Sequence, residues 1–135
     1  MHVTVETDVD APIDSVWNAY VTPDDILKLN SASDDWHTTK STVDLREGGL
    51  FSSRMEAKDG SFGFDFEGAY TNVVPHKLLE YEFGGRAGKV EFLPLDQQVR
   101  VRVTFEPEPE NPVEMQRQGW QSILNNFKRH VEARR

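Results

Sequence analysis

The chain has 135 residues, a formal net charge of −8 and no cysteine. That length suits one domain with a real core. The acidic balance argues against nucleic-acid phosphates and anionic membrane surfaces as partners, and the missing cysteines exclude disulfides, thiol nucleophiles and thiolate metal sites. Eight Phe, three Trp and three Tyr are spread along the sequence, which favours a folded globule over disorder. No basic-then-apolar leader and no apolar run approaching ~20 residues is visible, so a single cytoplasmic domain over residues 1–135 without membrane insertion is expected.

In chain order, Val3 to Val9 alternates apolar and polar positions and predicts a half-buried strand. Ala11-Pro12-Ile13 ends it. A short helix follows, with Ile13, Val16, Trp17 and Tyr20 on its inner side. Thr22-Pro23-Asp24-Asp25 predicts a second short helix, with Thr22 as cap and Ile26, Leu27 and Leu29 inward. Ser31 to Asp35 is a polar loop leading to Trp36-His37. Six strands are then expected in sequence: Thr39–Arg46, Leu50–Ala57, Phe62–Val74, Leu78–Phe83, Lys89–Leu93 and Gln98–Phe105. Gly48-Gly49, Asp59-Gly60, Val74-Pro75, Gly84-Gly85 and Pro94-Leu95-Asp96 supply the turns between them. Gly68 marks a bend or bulge.

The acidic, proline-punctuated stretch Glu106 to Glu110 leads into one long helix, from Asn111 as cap and Pro112 at the first helical position through Val131. Its apolar residues, Trp120, Ile123, Leu124, Phe127 and Val131, recur on one face. Runs of strands with segregated helices define an α+β fold with an antiparallel sheet. Only the long helix can fill the concave side of such a sheet, and the two short helices after the first strand close one end.

If the inner phases face the helix, Phe51, Met55, Phe64, Phe66, Tyr81, Phe83, Val101, Val103, Trp120, Leu124 and Phe127 lie between sheet and helix, with Trp36 near the mouth. Large aromatics beside glycines can leave a ligand cavity there or interdigitate into a solid core. Tyr70 and Tyr81 read as core tyrosines with satisfied hydroxyls. Arg54, Glu56, Asp65 and Glu67 fall in the outer phase, where a ladder of surface ion pairs outweighs acid–base chemistry. His2, His37, His76 and His130 are scattered. Asp34, Asp35 and His37 alone make a poor metal set, so neither metal nor cofactor is expected. No serine sits in a Gly-x-Ser-x-Gly elbow, so no catalytic residue is assigned.

A set of short motifs resembles a known family. These are Ala11-Pro12-Ile13 with Val16-Trp17, Asp34-Asp35-Trp36, Asp44-Leu45-Arg46 with Gly48-Gly49 and Phe51, and Arg54-Met55. Phe66-Glu67-Gly68 with Tyr70, Val74-Pro75 with Leu78, and Gly119-Trp120 with Leu124 continue it. The pattern is similar to bacterial homologues of the Hsp90 ATPase activator C-terminal domain, within the START-like, polyketide-cyclase-like (SRPBCC) superfamily. The resemblance implies the helix-grip fold, a curved antiparallel sheet wrapped around a long C-terminal helix. It implies three kinds of function: binding of a small apolar or amphipathic ligand, a co-chaperone role toward an Hsp90-type chaperone, or a cyclase- or hydrolase-like enzyme. The enzyme reading needs polar groups converging inside the cavity, where the inner phase is nearly all apolar.

Overall fold

The structure, a computed structural model, describes residues 2–29 and 36–133. The elements run β1 (Val3–Val9), α1 (Ile13–Val21), α2 (Pro23–Leu29), β2 (Trp36–Val43), β3 (Leu50–Ala57), β4 (Gly63–Val74), β5 (Leu78–Phe83), β6 (Arg86–Pro94), β7 (Val99–Phe105) and α3 (Val113–Glu132). The seven strands form one antiparallel sheet in the order β1-β7-β6-β5-β4-β3-β2. It curls as a half-barrel around α3, which is the helix-grip arrangement. The expected loop over Ser31 to Asp35, and with it Asp34 and Asp35, lies outside the described residues, as do the side chains of Leu27, Leu29 and Trp36.

Most strands form where alternation placed them, and the exceptions have local causes. The strand expected over Thr39–Arg46 is displaced to Trp36–Val43. Gly48, at φ 81, ends the extended run, and Asp44 folds back: its carbonyl accepts from the Arg46 N–H, and its carboxylate pairs with the Arg46 guanidinium at 2.9 Å. Gly49 is forced here, because a Cβ on it would lie 2.0 Å from the Asp44 carbonyl oxygen. The strand expected over Lys89–Leu93 is longer, Arg86–Pro94. Gly84 and Gly85 both take positive φ and make a two-residue turn that pairs Phe83 with Arg86 directly.

One expected cap is corrected and one is met in position only. The residue that caps α3 is Pro112, with no side-chain cap bond. Asn111 instead lies in the preceding loop, where its N–H donates to Glu108 and its carbonyl accepts from Gln116 Nε2. Thr22 does hold the cap position of α2, which begins at Pro23: its carbonyl accepts from the Ile26 N–H. Its hydroxyl, however, donates back to the Asn18 carbonyl of α1.

The core has two halves of different character. On β1 and β7 the inner residues are small and β-branched apart from Phe105. Val3, Val5, Val9, Val99, Val101, Val103 and Phe105 are all buried, beneath a helix face carrying Leu124, Phe127 and Val131. On β3 to β5 the inner residues are aromatic, and two glycines make room for them. Gly88 faces Tyr81 across the β5–β6 ladder, and a Cβ there would meet the Tyr81 ring at 2.7 Å. Gly68 faces Phe51, where a Cβ would meet that ring at 2.8 Å.

α3 also runs beside β1, an edge strand. Its side chains take the strand's outward backbone: Gln121 Nε2 donates to the Glu6 carbonyl at 3.1 Å, and Lys128 Nζ to the Asp8 carbonyl at 2.7 Å. Glu132 accepts from the Asp10 N–H at 2.8 Å. On the outer face Arg100 binds both carboxylate oxygens of Asp8, at 2.8 and 3.2 Å, which holds that carboxyl below its ordinary value.

Two glycine substitutions are expected to act in opposite directions. Gly88→Ala drives a methyl into the Tyr81 ring and should cost about 1–3 kcal/mol. Gly119→Ala lies inside α3, where a Cβ meets nothing within 4 Å, and should stabilise by about 0.5–1 kcal/mol through helix propensity. Urea unfolding of the two variants beside the parent checks both signs.

Candidate functional site

The aromatic half of the sheet does not close fully on α3. A cavity of about 110 Å³ remains between them, lined from the sheet by Thr42, Val43, Phe51, Ser53, Phe66, Tyr70, Leu79 and Tyr81. The helices supply Tyr20, Ile26, Trp120, Ile123, Leu124 and Phe127. Every sheet residue on that wall comes from β2 to β5. The small side chains of β1 and β7, by contrast, are wholly covered. A second, more open groove of about 460 Å³ lies outside it, lined by Met55, Phe64, Phe66, Phe83, Arg86, Glu108, Asn111, Gln116, Gly119, Trp120 and Ile123. Phe66, Trp120 and Ile123 border both spaces and so form the wall between them. The Phe66 and Trp120 rings meet edge to face at 5.8 Å.

The residues expected between sheet and helix therefore separate into three groups. Phe51, Phe66, Tyr81, Trp120, Leu124 and Phe127 border the inner cavity. Met55, Phe64 and Phe83 border the outer groove, where Phe64 is 43% exposed. Val101 and Val103 are fully buried in the packed half of the core and border neither space. The Trp36 side chain lies outside the described residues. The expected lining left out Tyr20 and Ile26, although both were placed inward, because which helical residue reaches a cavity depends on how α1 and α2 approach the sheet. It also left out Ser53, which alternates in phase with Phe51 and Met55 but contributes space instead of a contact.

The chain has three tyrosines, and all of them border this one cavity. Tyr70 and Tyr81 are direct cross-strand neighbours, held so by the irregularity that follows Tyr70 in β4. Tyr20 reaches in from α1, its ring edge-on to Phe92 and Phe127 at 5.5 and 5.2 Å. The expectation of satisfied hydroxyls fails. Among the described residues none of the three phenol oxygens has a protein hydrogen-bond partner. Among the described residues no fully enclosed polar side-chain atom lacks a partner either, so these oxygens keep some accessible surface, and all three tyrosines border the cavity. Burial pushes all three phenols up: Tyr70 to about 12, and Tyr20 and Tyr81 likewise upward, each further opposed by its tyrosine neighbours. They remain neutral throughout the physiological range.

The outer-phase charges stay outside. Arg54 pairs with Glu56 at 3.1 Å and Asp65 at 3.5 Å, partly exposed, a cross-strand network worth little individually. Among the described residues no group of three or more His, Asp or Glu side chains is placed to hold a metal ion. His76 pairs with Asp14 at 3.2 Å, and His130 with Asp25 at 2.9 Å, joining α3 to α2. No described helix is long and apolar enough to cross a membrane.

A family model described as Activator of Hsp90 ATPase homolog 1-like protein matches residues 10–132. No curated protein matches the sequence. Among solved structures, an AHSA1-like protein from Aeromonas hydrophila is 44% identical, with a TM-score of 0.93 over 99% of this chain and 94% of that one. A protein from Cytophaga hutchinsonii is 41% identical, with a TM-score of 0.84 over 98% of this chain and 92% of that one. A protein from Nitrosomonas europaea, 17% identical with a TM-score of 0.85 over 99% and 96%, shares the fold.

The buried phenols make stability depend on alkaline pH. A phenol in the unfolded chain ionises near pH 10, whereas the folded values are higher, so above about pH 10 the folded state holds more protons than the unfolded one. Stability is therefore insensitive to these groups below that pH and falls as pH rises through the folded values. The urea midpoint should drop between about pH 10 and pH 12, and Tyr70→Phe should flatten part of that drop.

Proposed function

Because the chain belongs to the Activator of Hsp90 ATPase homolog 1-like family and has its START/SRPBCC-type fold, we propose that it binds a small apolar or amphipathic molecule between the sheet and α3. The observation that carries this reading is the cavity left unfilled behind Phe66, Trp120 and Ile123, in a fold whose other half is packed solid. A chain under no demand for internal space gains stability by filling such a void, at roughly 24 cal/mol per Å³ of cavity. Retained space lined mainly by aromatic and aliphatic groups, with a few placed hydroxyls, is the make-up of a small-molecule site. Phe51, Phe66, Tyr81, Trp120, Leu124 and Phe127 would contact a ligand inside. Met55, Phe64 and Phe83 would contact any part of it that extends into the groove.

The three phenols are the convergent polar groups that the enzyme reading requires. Their upward shift takes them away from acid–base work near neutral pH, and among the described residues no charged side chain borders the inner cavity to assist them. They suit hydrogen bonding, so binding is favoured over catalysis, and no cofactor is required.

Native mass spectrometry of the purified chain, followed by denaturation, tests this. An adduct that is lost on denaturation is expected, and Phe66→Trp, which enlarges the wall into the cavity, should abolish it while the melting midpoint stays within a few degrees. An adduct retained unchanged by Phe66→Trp would place the ligand elsewhere.

The family match itself favours a second reading, as a partner of an Hsp90-type ATPase. On that reading, micromolar chain should change the steady-state ATPase rate of the host chaperone. An unchanged rate with no complex on gel filtration would remove it.

A further inference from the structure

The two spaces on either side of the Phe66–Trp120 contact differ in charge. The outer groove carries Arg86 and Glu108, whereas among the described residues no ionisable acid or base other than tyrosine borders the inner cavity. An anion or cation entering the inner cavity would lose its hydration with no counter-charge to replace it. A pure hydrocarbon would leave the three phenol oxygens facing an apolar surface, each at the cost of an unmade hydrogen bond. The three phenols share one space. Tyr70 and Tyr81 are opposed in register on neighbouring strands, and Tyr20 borders the same cavity from α1. Size narrows the occupant further. An apolar cavity of about 150 Å³ takes a benzene ring, so about 110 Å³ admits a single ring with slight movement of its wall.

We infer that the inner cavity takes an uncharged, single-ring-sized molecule whose hydroxyl or carbonyl group sits against the hydroxyls of Tyr20, Tyr70 and Tyr81. This rests on the ligand-binding reading above and specifies its chemistry. Phenols can donate to a carbonyl and can also exchange bonds with a hydroxyl, so the site selects for one oxygen function on an otherwise apolar body. Larger substituents leave through the Phe66, Trp120 and Ile123 wall into the groove, and ionised groups stay there.

Three probes that differ in one substituent test it: toluene, p-cresol and p-toluate, titrated into the full chain and followed by amide chemical shifts of the cavity residues. Toluene and p-cresol should both enter, and p-toluate should not. Tyr70→Phe should weaken p-cresol about tenfold, the worth of one buried hydrogen bond, and should not weaken toluene, which no longer strands that hydroxyl. Each variant keeps its ring, and its melting curve verifies folding. Tyr20→Phe is the second variant if Tyr70→Phe unfolds. Binding of p-cresol that no Tyr→Phe change affects would overturn the polar anchor while leaving the cavity as a ligand site. Entry of p-toluate with p-cresol-like affinity would overturn the requirement for neutrality. Failure of all three probes to shift any cavity residue would overturn both this inference and the inner cavity as a binding site.

Discussion

The helix α3 is held to β1 by polar side chains as well as apolar ones, and the rest of the structure depends on that attachment. An edge strand leaves a row of backbone groups unpaired. Here Gln121, Lys128 and Glu132 occupy part of that row on β1, so the helix stands where a further strand would otherwise pair. Each such bond is worth only about 0.5–1.5 kcal/mol net, but together they fix the rotation of the helix about its own axis. Successive residues on a helix point about 100° apart. With Gln121 and Lys128 turned to β1, Trp120, Leu124 and Phe127 must face the concave sheet. A small rotation would carry Trp120 out of the wall it shares with Phe66.

That placement also explains why one half of the core is solid and the other is not. The helix lies close over β1, where Val3, Val5, Val101 and Val103 are short enough to let it approach. The curl of the sheet carries β3 to β5 away from it, and aromatic side chains bridge the gap. Rings fill space less adaptably than aliphatic chains. Phe51 and Tyr81 lie flat only because Gly68 and Gly88 offer no Cβ beneath them. The inner space is what remains once those rings are seated.

Much of this was legible in the sequence, for reasons that show where legibility stops. Strand and helix periodicities depend on local geometry, so Leu50–Ala57 and Leu78–Phe83 were placed to the residue and the α+β layout followed. Helix and strand ends were less secure: Pro112 stands at the cap of α3 in place of Asn111, and the Thr22 hydroxyl turns back to Asn18. The inner face was also legible as a set of residues. Its division into cavity, groove and solid core was not, because Val101 and Tyr81 both point inward and differ only in what the opposite layer does above them. Tyr20 shows the same limit from the helical side. Its spacing marked it as buried, and only the approach of α1 decides that it borders the same cavity as Tyr70 and Tyr81.

The pairing of β1 with β7 sets the order in which this chain can become itself. Val3 is matched with Phe105, and Val9 with Val99. On a ribosome the first strand emerges long before its only sheet partner exists, and α3, which guards its other side, is made last. Strands β2 to β6 can assemble as a string of neighbouring hairpins while β1 waits. The closing contacts join the two ends of the sequence, and such distant pairings slow folding relative to local ones. Until α3 has been made, the aromatic inner face has no helix over it, and the nascent chain presents an uncovered apolar concavity.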